Sequence, residues 1–187
     1  MRRRTGILAM AGLGADAVLG AAGEEPEVLR FGPNGWMPNN ERLPVLLYRG
    51  ALHGEQDLTG RIEELVRRHG WRPEWRNGVY PFHHYHSTAH EVLAFSRGEA
   101  TLILGGEPPV GQEVTVRSGD IALLPCGTGH FRKSASGDFL VSGAYSLGQQ
   151  WDLLRSAPDA EAVARMRGLP FPEADPVGGR LGRLWGY

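Results

Sequence analysis

The chain has 187 residues, a length that suits one domain with a sizeable core and is short for two. Hydrophobic residues make up 41% and charged residues 22% of it, which excludes disorder of the whole chain. The formal net charge is −1, with no basic run beyond the first four residues, so nucleic acid and anionic membrane surfaces are excluded as main partners. The single cysteine, Cys126, excludes an intramolecular disulfide and a cysteine-rich zinc site, and we expect it to be a buried, inert thiol.

Residues 1–23 differ in character from the rest of the chain. Three arginines precede a short apolar stretch and a run of small residues, a pattern typical of an export signal, here resembling the twin-arginine type. Gly6 and Asp16 depart from that pattern. We expect a periplasmic protein without membrane insertion once the signal is removed; a cytoplasmic protein with an N-terminal tail is the alternative.

Residues 24–77 are predicted to form an arm, a strand and a helix that pack on a barrel. The arm covers 24–43, and the strand covers the apolar segment 44–49. A helix is predicted over 57–70, because Leu58, Ile62 and Leu65 recur on one face and Gly70 provides a stop.

The sequence pattern of residues 78–147 predicts short strands separated by turns. Such an arrangement indicates an all-β sandwich or barrel, here with one or two flanking helices. Residues 148–187 are predicted to form a C-terminal helix at 160–167 and a tail whose aromatics, Trp185 and Tyr187, dock on the barrel. The predicted strands are 79–86, 91–96, 100–104, 113–116, 121–124, 130–133 and 139–145.

Four of the seven histidines lie within eight residues, followed directly by Glu91. If this segment is a strand, alternation places His84 and His86 on one side and His83 on the other. Glu91 on the following strand can join the first pair, and His90 then points away, although His90 in place of Glu91 is the alternative. Imidazoles with one carboxylate suit Mn, Fe, Co, Ni or Zn better than Ca or Mg.

Two spaced motifs resemble those of the cupin superfamily. The first cupin motif is a glycine, five residues, His-x-His, three or four residues, a glutamate, six residues and a glycine. This sequence matches it at Gly78, His84, His86, Glu91 and Gly98.

The second cupin motif is a glycine, five residues, Pro-x-Gly, two residues, a histidine, three residues and an asparagine. It is matched at Gly119, Pro125, Gly127 and His130, and Ser134 stands where the motif has asparagine. That departure affects the turn after His130 and leaves the ligand positions intact. Flanking segments also resemble the YjlB-like branch of small bacterial cupins; they are 38–40, 43–50, 85–92, 143–145 and 151–152.

The resemblance implies a double-stranded β-helix barrel in which His84, His86, Glu91 and His130 hold one divalent transition metal ion. Four protein ligands on an octahedral ion leave two positions open, so the first hypothesis is a metal-dependent enzyme acting on a small molecule, either a dioxygenase or a Lewis-acid isomerase or lyase. A non-catalytic cupin that binds or senses a small molecule or metal is the alternative, and a purely structural zinc protein is the weakest reading.

Two further residues are candidates for a role in catalysis. Arg132 shares the strand phase of His130, so it can face an anionic substrate, or it can be a solvated surface arginine. Tyr145 can act as an acid or a hydrogen-bond donor at the mouth, or it can be an ordinary core aromatic.

Cupins of this size commonly form homodimers through edge strands and arms, and the arm over residues 24–50 suits that role.

Overall fold

The computed structural model describes residues 25–54, 57–178 and 181–185. The predicted export signal lies outside the described residues and stays a prediction. None of the described helices is long and apolar enough to span a membrane. The strands are β1 (Glu27–Leu29), β2 (Val45–Tyr48), β3 (Trp71–Asn77), β4 (Glu91–Arg97), β5 (Glu99–Leu104), β6 (Gln112–Arg117), β7 (Ile121–Leu124), β8 (His130–Ala135) and β9 (Leu140–Ser146); the helices are α1 (Leu58–Arg68), α2 (Ala160–Gly168) and α3 (Leu181–Trp185).

Two antiparallel sheets face each other in a jelly-roll β-barrel, which confirms the predicted all-β class. One sheet has six strands in the order β1-β2-β7-β4-β9-β3, and the other has three in the order β6-β5-β8. Apolar side chains from both sheets meet between them, among them Leu93 and Phe95 of β4 and Leu102 of β5. The barrel interior is therefore a packed core, with polar side chains concentrated at one end.

The outer face of the six-stranded sheet is also buried, because α1 and the C-terminal segment cover it. Alternate residues of β4, such as Val92 and Ala94, point outward to meet Ile62 and Val66 of α1. The α1 helix begins after Asp57, whose carboxylate accepts a hydrogen bond from the Gly60 amide at 3.1 Å. The predicted docking of Trp185 is confirmed: its ring is buried and its Nε1 donates to the Pro44 carbonyl at 3.1 Å. Tyr187, the other aromatic of that prediction, lies outside the described residues.

The strand predicted over 79–86 is wrong. This segment is an irregular arch that makes isolated bridges at His84 and Tyr85, and the edge strand of the sheet is the preceding segment, β3. The sequence of β3 is polar and contains Pro73, which sits at a register shift on an edge strand, where a residue without an amide proton is tolerated. Short polar edge strands carry a weak alternation signal, so the pattern favoured the histidine segment instead.

Candidate metal centre

Four polar side chains from three separate segments converge at one end of the barrel. His84 and His86 lie on the arch, Glu91 begins β4, and His130 begins β8. Each is at most 4% exposed. The segments are fixed by backbone pairing: the His84 and His130 amides donate to each other's carbonyls at 3.2 and 3.0 Å.

The three histidines form a compact cluster. Their potential ligand nitrogens all lie within 4.8 Å of one another, and the rings of His84 and His130 have centroids only 4.0 Å apart. Three buried imidazoles this close to one another could hold a metal ion.

Hydrogen bonds to backbone carbonyls fix the tautomer of all three imidazoles. The Nδ1 of His84 contacts the Phe82 carbonyl at 3.1 Å, that of His130 contacts the Thr128 carbonyl at 3.0 Å, and that of His86 contacts the Asp152 carbonyl. Since a carbonyl can only accept, each Nδ1 carries a proton, and in the neutral ring each Nε2 is left with a lone pair. Metal-binding histidines are oriented in this way in proteins.

Glu91 completes the cluster on the side of His86 and His130. Its Oε2 lies 3.4 Å from the Nε2 of His86 and 3.2 Å from the Nε2 of His130. This buried oxygen has no hydrogen-bond partner among the described residues. Lone pairs that face one another at such distances repel unless a proton or a metal cation lies between them. The residues therefore fit a bound cation.

The other carboxylate oxygen of Glu91 is held by the protein. Its Oε1 accepts a hydrogen bond from the Tyr145 hydroxyl at 2.8 Å, and the Tyr145 oxygen accepts one from Trp75 Nε1 at 2.9 Å. Glu91 and Tyr145 are direct partners in the register of β4 and β9, which explains their contact across 54 positions of sequence. The Tyr145 phenol thus orients the carboxylate.

In this site the effect of burial on the pKa values of Glu91 and His86 is opposed by the charges of neighbouring side chains. Burial raises the pKa of Glu91, but the neighbouring His86 and His130 lower it well below its ordinary value. Burial lowers the pKa of His86, but the Glu91 carboxylate raises it above its usual range overall. Burial and the nearby His130 lower the pKa of His84 to about 2. Burial together with Glu91 raises the pKa of Tyr145, so the phenol keeps its proton.

The remaining predicted residues lie outside the cluster. His83 packs against Phe131 and contacts Glu107 at 2.8 Å. His90 lies on the other face of the sheet, against Trp185. Arg132 is half-buried beside Gly78, and its guanidinium makes no hydrogen bond or ion pair with a described residue.

Sequence reasoning missed three residues that support the site. Trp75 holds the Tyr145 hydroxyl, the Asp152 carbonyl holds the Nδ1 of His86, and the Trp151 ring lies 5.9 Å from that of Tyr145 in a stacked geometry. Asp152 also anchors the arch, because its carboxylate accepts hydrogen bonds from the amide and the hydroxyl of Ser87. The Trp-Asp pair at 151–152 was visible in the sequence only as a family feature, without a role.

The barrel and the two motifs that deliver these side chains define the class: the chain is a cupin. More narrowly, it belongs to the YjlB family. It is 39% identical over 158 residues to "Uncharacterized protein YjlB" of Bacillus subtilis (strain 168), a match that covers 83% of this chain and 92% of that protein. No protein-family model matches the chain.

Solved structures give weaker likenesses. A variant of oxalate decarboxylase from Bacillus subtilis matches with a TM-score of 0.35 and 16% identity, over 59% of this chain and 32% of that one. A dTDP-6-deoxy-D-glucose-3,5-epimerase from Legionella pneumophila Philadelphia 1 matches with a TM-score of 0.34 and 15% identity, over 74% and 90%. An 11S globulin from Wrightia tinctoria matches with a TM-score of 0.37 and 14% identity, over 63% of this chain and 29% of that one. This chain thus spans about a third of the first and last of these proteins, and at these TM-scores the likenesses carry no information on activity.

Proposed function

We propose that His84, His86, Glu91 and His130 bind one divalent transition metal ion, and that the protein is a metal-dependent enzyme acting on a small molecule. One observation carries the proposal. Three imidazoles are locked with Nε2 lone pairs inward, and the Oε2 of Glu91 faces two of them without a hydrogen bond. Such a set is incomplete without a cation.

The donor set narrows the metal to Mn, Fe, Co, Ni or Zn, because neutral imidazoles suit these ions and hard oxygen ligands suit Ca and Mg. Four protein ligands on a six-coordinate ion would leave two positions open for water, O₂ or a small substrate. When bound, the ion supplies Lewis-acid chemistry or, as Fe(II), reaction with O₂.

The surrounding side chains suit a small, planar or apolar substrate. Tyr80 and Phe82 stack on each other with ring centroids 4.9 Å apart, and both contact the His84 ring edge-on. On the other side, Trp151 is 38% exposed and its ring lies 5.7 Å from that of His86. Aromatic walls next to the cluster exclude water and favour flat or apolar groups.

A reaction screen tests the catalytic part of the proposal. Metal-free protein is reconstituted separately with Fe(II), Mn, Co, Ni and Zn. Oxygen uptake is then measured with small thiols, catechols and diketones, and isomerisation or elimination of small hydroxy and keto compounds is followed by proton NMR.

We expect turnover with at least one metal, loss of that turnover in His84→Ala, and retention in Glu63→Gln, a control whose change lies on the opposite face of the sheet. Turnover that His84→Ala retains would contradict the assignment of the site. Stoichiometric metal binding without turnover in the whole screen would favour a non-catalytic cupin that binds a metal or a small molecule.

A further inference from the structure

A cavity lies on the far side of the six-stranded sheet from the metal centre. It has a volume of about 350 Å³ and is enclosed by the end of the N-terminal arm, by α2 and by the segment that follows α2. None of the four proposed metal ligands lines it, whereas His90 does. A cavity of this size accommodates a small organic molecule.

His90 lines this cavity, and one of its ring nitrogens is a buried donor without a partner among the described residues. The ring is 1% exposed, and its Nδ1 accepts a hydrogen bond from the Cys126 amide at 3.1 Å. An Nδ1 that accepts carries no proton, so the proton of the neutral ring is on Nε2. That Nε2 is buried and has no hydrogen-bond partner among the described residues, an arrangement that destabilises the protein until an acceptor arrives.

The cavity has an apolar wall and a polar rim. The wall is built from Leu43 of the arm and from side chains on or just after α2, such as Val163, Met166 and Phe171. Arg42 and Arg167 lie at the rim, where both are exposed and neither guanidinium pairs with a described residue. The carboxylate of Glu41 also lines the rim, so the net charge of these three side chains is positive.

We propose that this cavity is a second ligand site, for a small carboxylic acid that carries an uncharged oxygen acceptor at its other end. The buried donor of His90 suits a carbonyl or ether oxygen, since burying a carboxylate beside a neutral ring is costly. The exposed arginines suit the carboxylate, which stays partly solvated at the rim. The apolar wall takes the part of the ligand between its two polar ends.

Three matched probes test the two polar ends separately. The probe is 4-acetylbenzoate; 4-ethylbenzoate lacks the carbonyl, and 4-methylacetophenone lacks the carboxylate. Binding to the metal-loaded full chain is measured by isothermal titration calorimetry. We expect 4-ethylbenzoate to bind about tenfold more weakly, because it leaves the His90 donor unpaired, and 4-methylacetophenone to bind at least several-fold more weakly.

Variants locate the probe and separate this site from the metal centre. Val163→Trp fills the cavity from α2 and should abolish binding of 4-acetylbenzoate. Arg167→Gln should reduce the difference in affinity between 4-acetylbenzoate and 4-methylacetophenone. His90→Gln should reduce the difference in affinity between 4-acetylbenzoate and 4-ethylbenzoate. His84→Ala should bind the probe as tightly as wild type does. If the carboxylate of the probe were held by the metal instead, binding would be lost in this variant. The inference is overturned if 4-ethylbenzoate binds as tightly as 4-acetylbenzoate, if Val163→Trp binds the probe, or if His84→Ala loses it.

Discussion

Two polar clusters, each built around a buried carboxylate, lie on opposite faces of the six-stranded sheet. The inner cluster is His84, His86, Glu91 and His130. The outer cluster joins Glu63 of α1, Arg76 of β3 and Ser142 of β9. Both place a carboxylate where water is scarce, but they differ in how that carboxylate is satisfied.

In the outer cluster the protein satisfies the carboxylate by itself. Oε1 of Glu63 accepts from Arg76 Nε at 2.6 Å and from the Ser142 hydroxyl at 2.6 Å, and Oε2 accepts from Arg76 Nη2 at 2.8 Å. In the inner cluster only one oxygen of Glu91 has a hydrogen bond. A closed network of this kind stabilises the fold, whereas a network left open toward its own centre indicates a ligand.

The largest effect that this comparison predicts is on metal content. His130→Ala removes one of the four proposed ligands, so the affinity for the metal should fall by more than about 100-fold, beyond the range seen when only the partner of a ligand is lost. Competition with a chelator measures it. Glu63→Gln is the matched control and should keep the wild-type affinity for the metal. Equal losses of metal affinity in both variants would mean that the inner cluster is not the metal site.

Tyr145→Phe should give the next largest effect. It removes the hydrogen bond that orients Glu91 while keeping the ring, so metal affinity should fall by about 10- to 100-fold with little change in the aromatic packing. The same chelator competition reports it. Unchanged affinity would mean that Tyr145 only fills space.

Glu63→Gln should act on stability and not on the metal. The loss of a charged acceptor for three hydrogen bonds should lower the melting temperature by about 2–4 °C near neutral pH. Hydrogen bonding to Arg76 holds the pKa of Glu63 below its ordinary value of 4.5 in the folded state. A lowered pKa contributes stability that is present above 4.5 and is lost as pH falls through the folded value.

The difference in melting temperature between wild type and Glu63→Gln should therefore shrink as the pH is lowered below about 4.5. Thermal unfolding followed by circular dichroism across this range measures it. A difference that grows on acidification would contradict the role given to the outer cluster.

The smallest effect should come from an exposed ion pair. Lys133 and Glu113 pair across β5, and both side chains are 52% exposed. Lys133→Ala should change the melting temperature by less than about 2 °C, because solvent screens such pairs. If Lys133→Ala lowered the melting temperature as much as Glu63→Gln does, burial of the carboxylate could not explain why the outer cluster stabilises the fold.

The sequence predicted the barrel class, α1 and α2, and the segments that converge at the metal centre, because motif spacing and strand alternation are local signals. It did not reveal the role of Tyr145 toward Glu91, which depends on the register of β4 with β9. Nor did it reveal the pairing of Glu63 with Arg76, which needs α1 packed against the sheet. Contacts of this kind are set by tertiary packing, and no single stretch of sequence encodes them.

The misplaced edge strand shows the same limit. The histidine segment alternates well enough to look like a strand, yet it arches so that His84 pairs with His130 by an isolated bridge. Alternation correctly placed His84 and His86 together and His90 on the other side of the sheet, but it gave no sign that His90 would be buried beside Trp185. That burial follows from the C-terminal segment, which folds back over the sheet.

X-ray absorption at the zinc edge, on protein loaded with one equivalent of Zn²⁺, tests the central claim most directly. The imidazole scattering pattern reports how many histidines bind the ion. The arrangement of the inner cluster predicts three imidazoles with oxygen ligands and no sulfur, and a spectrum that loses an imidazole in His130→Ala. A shell dominated by oxygen, or one that His130→Ala leaves unchanged, would contradict it.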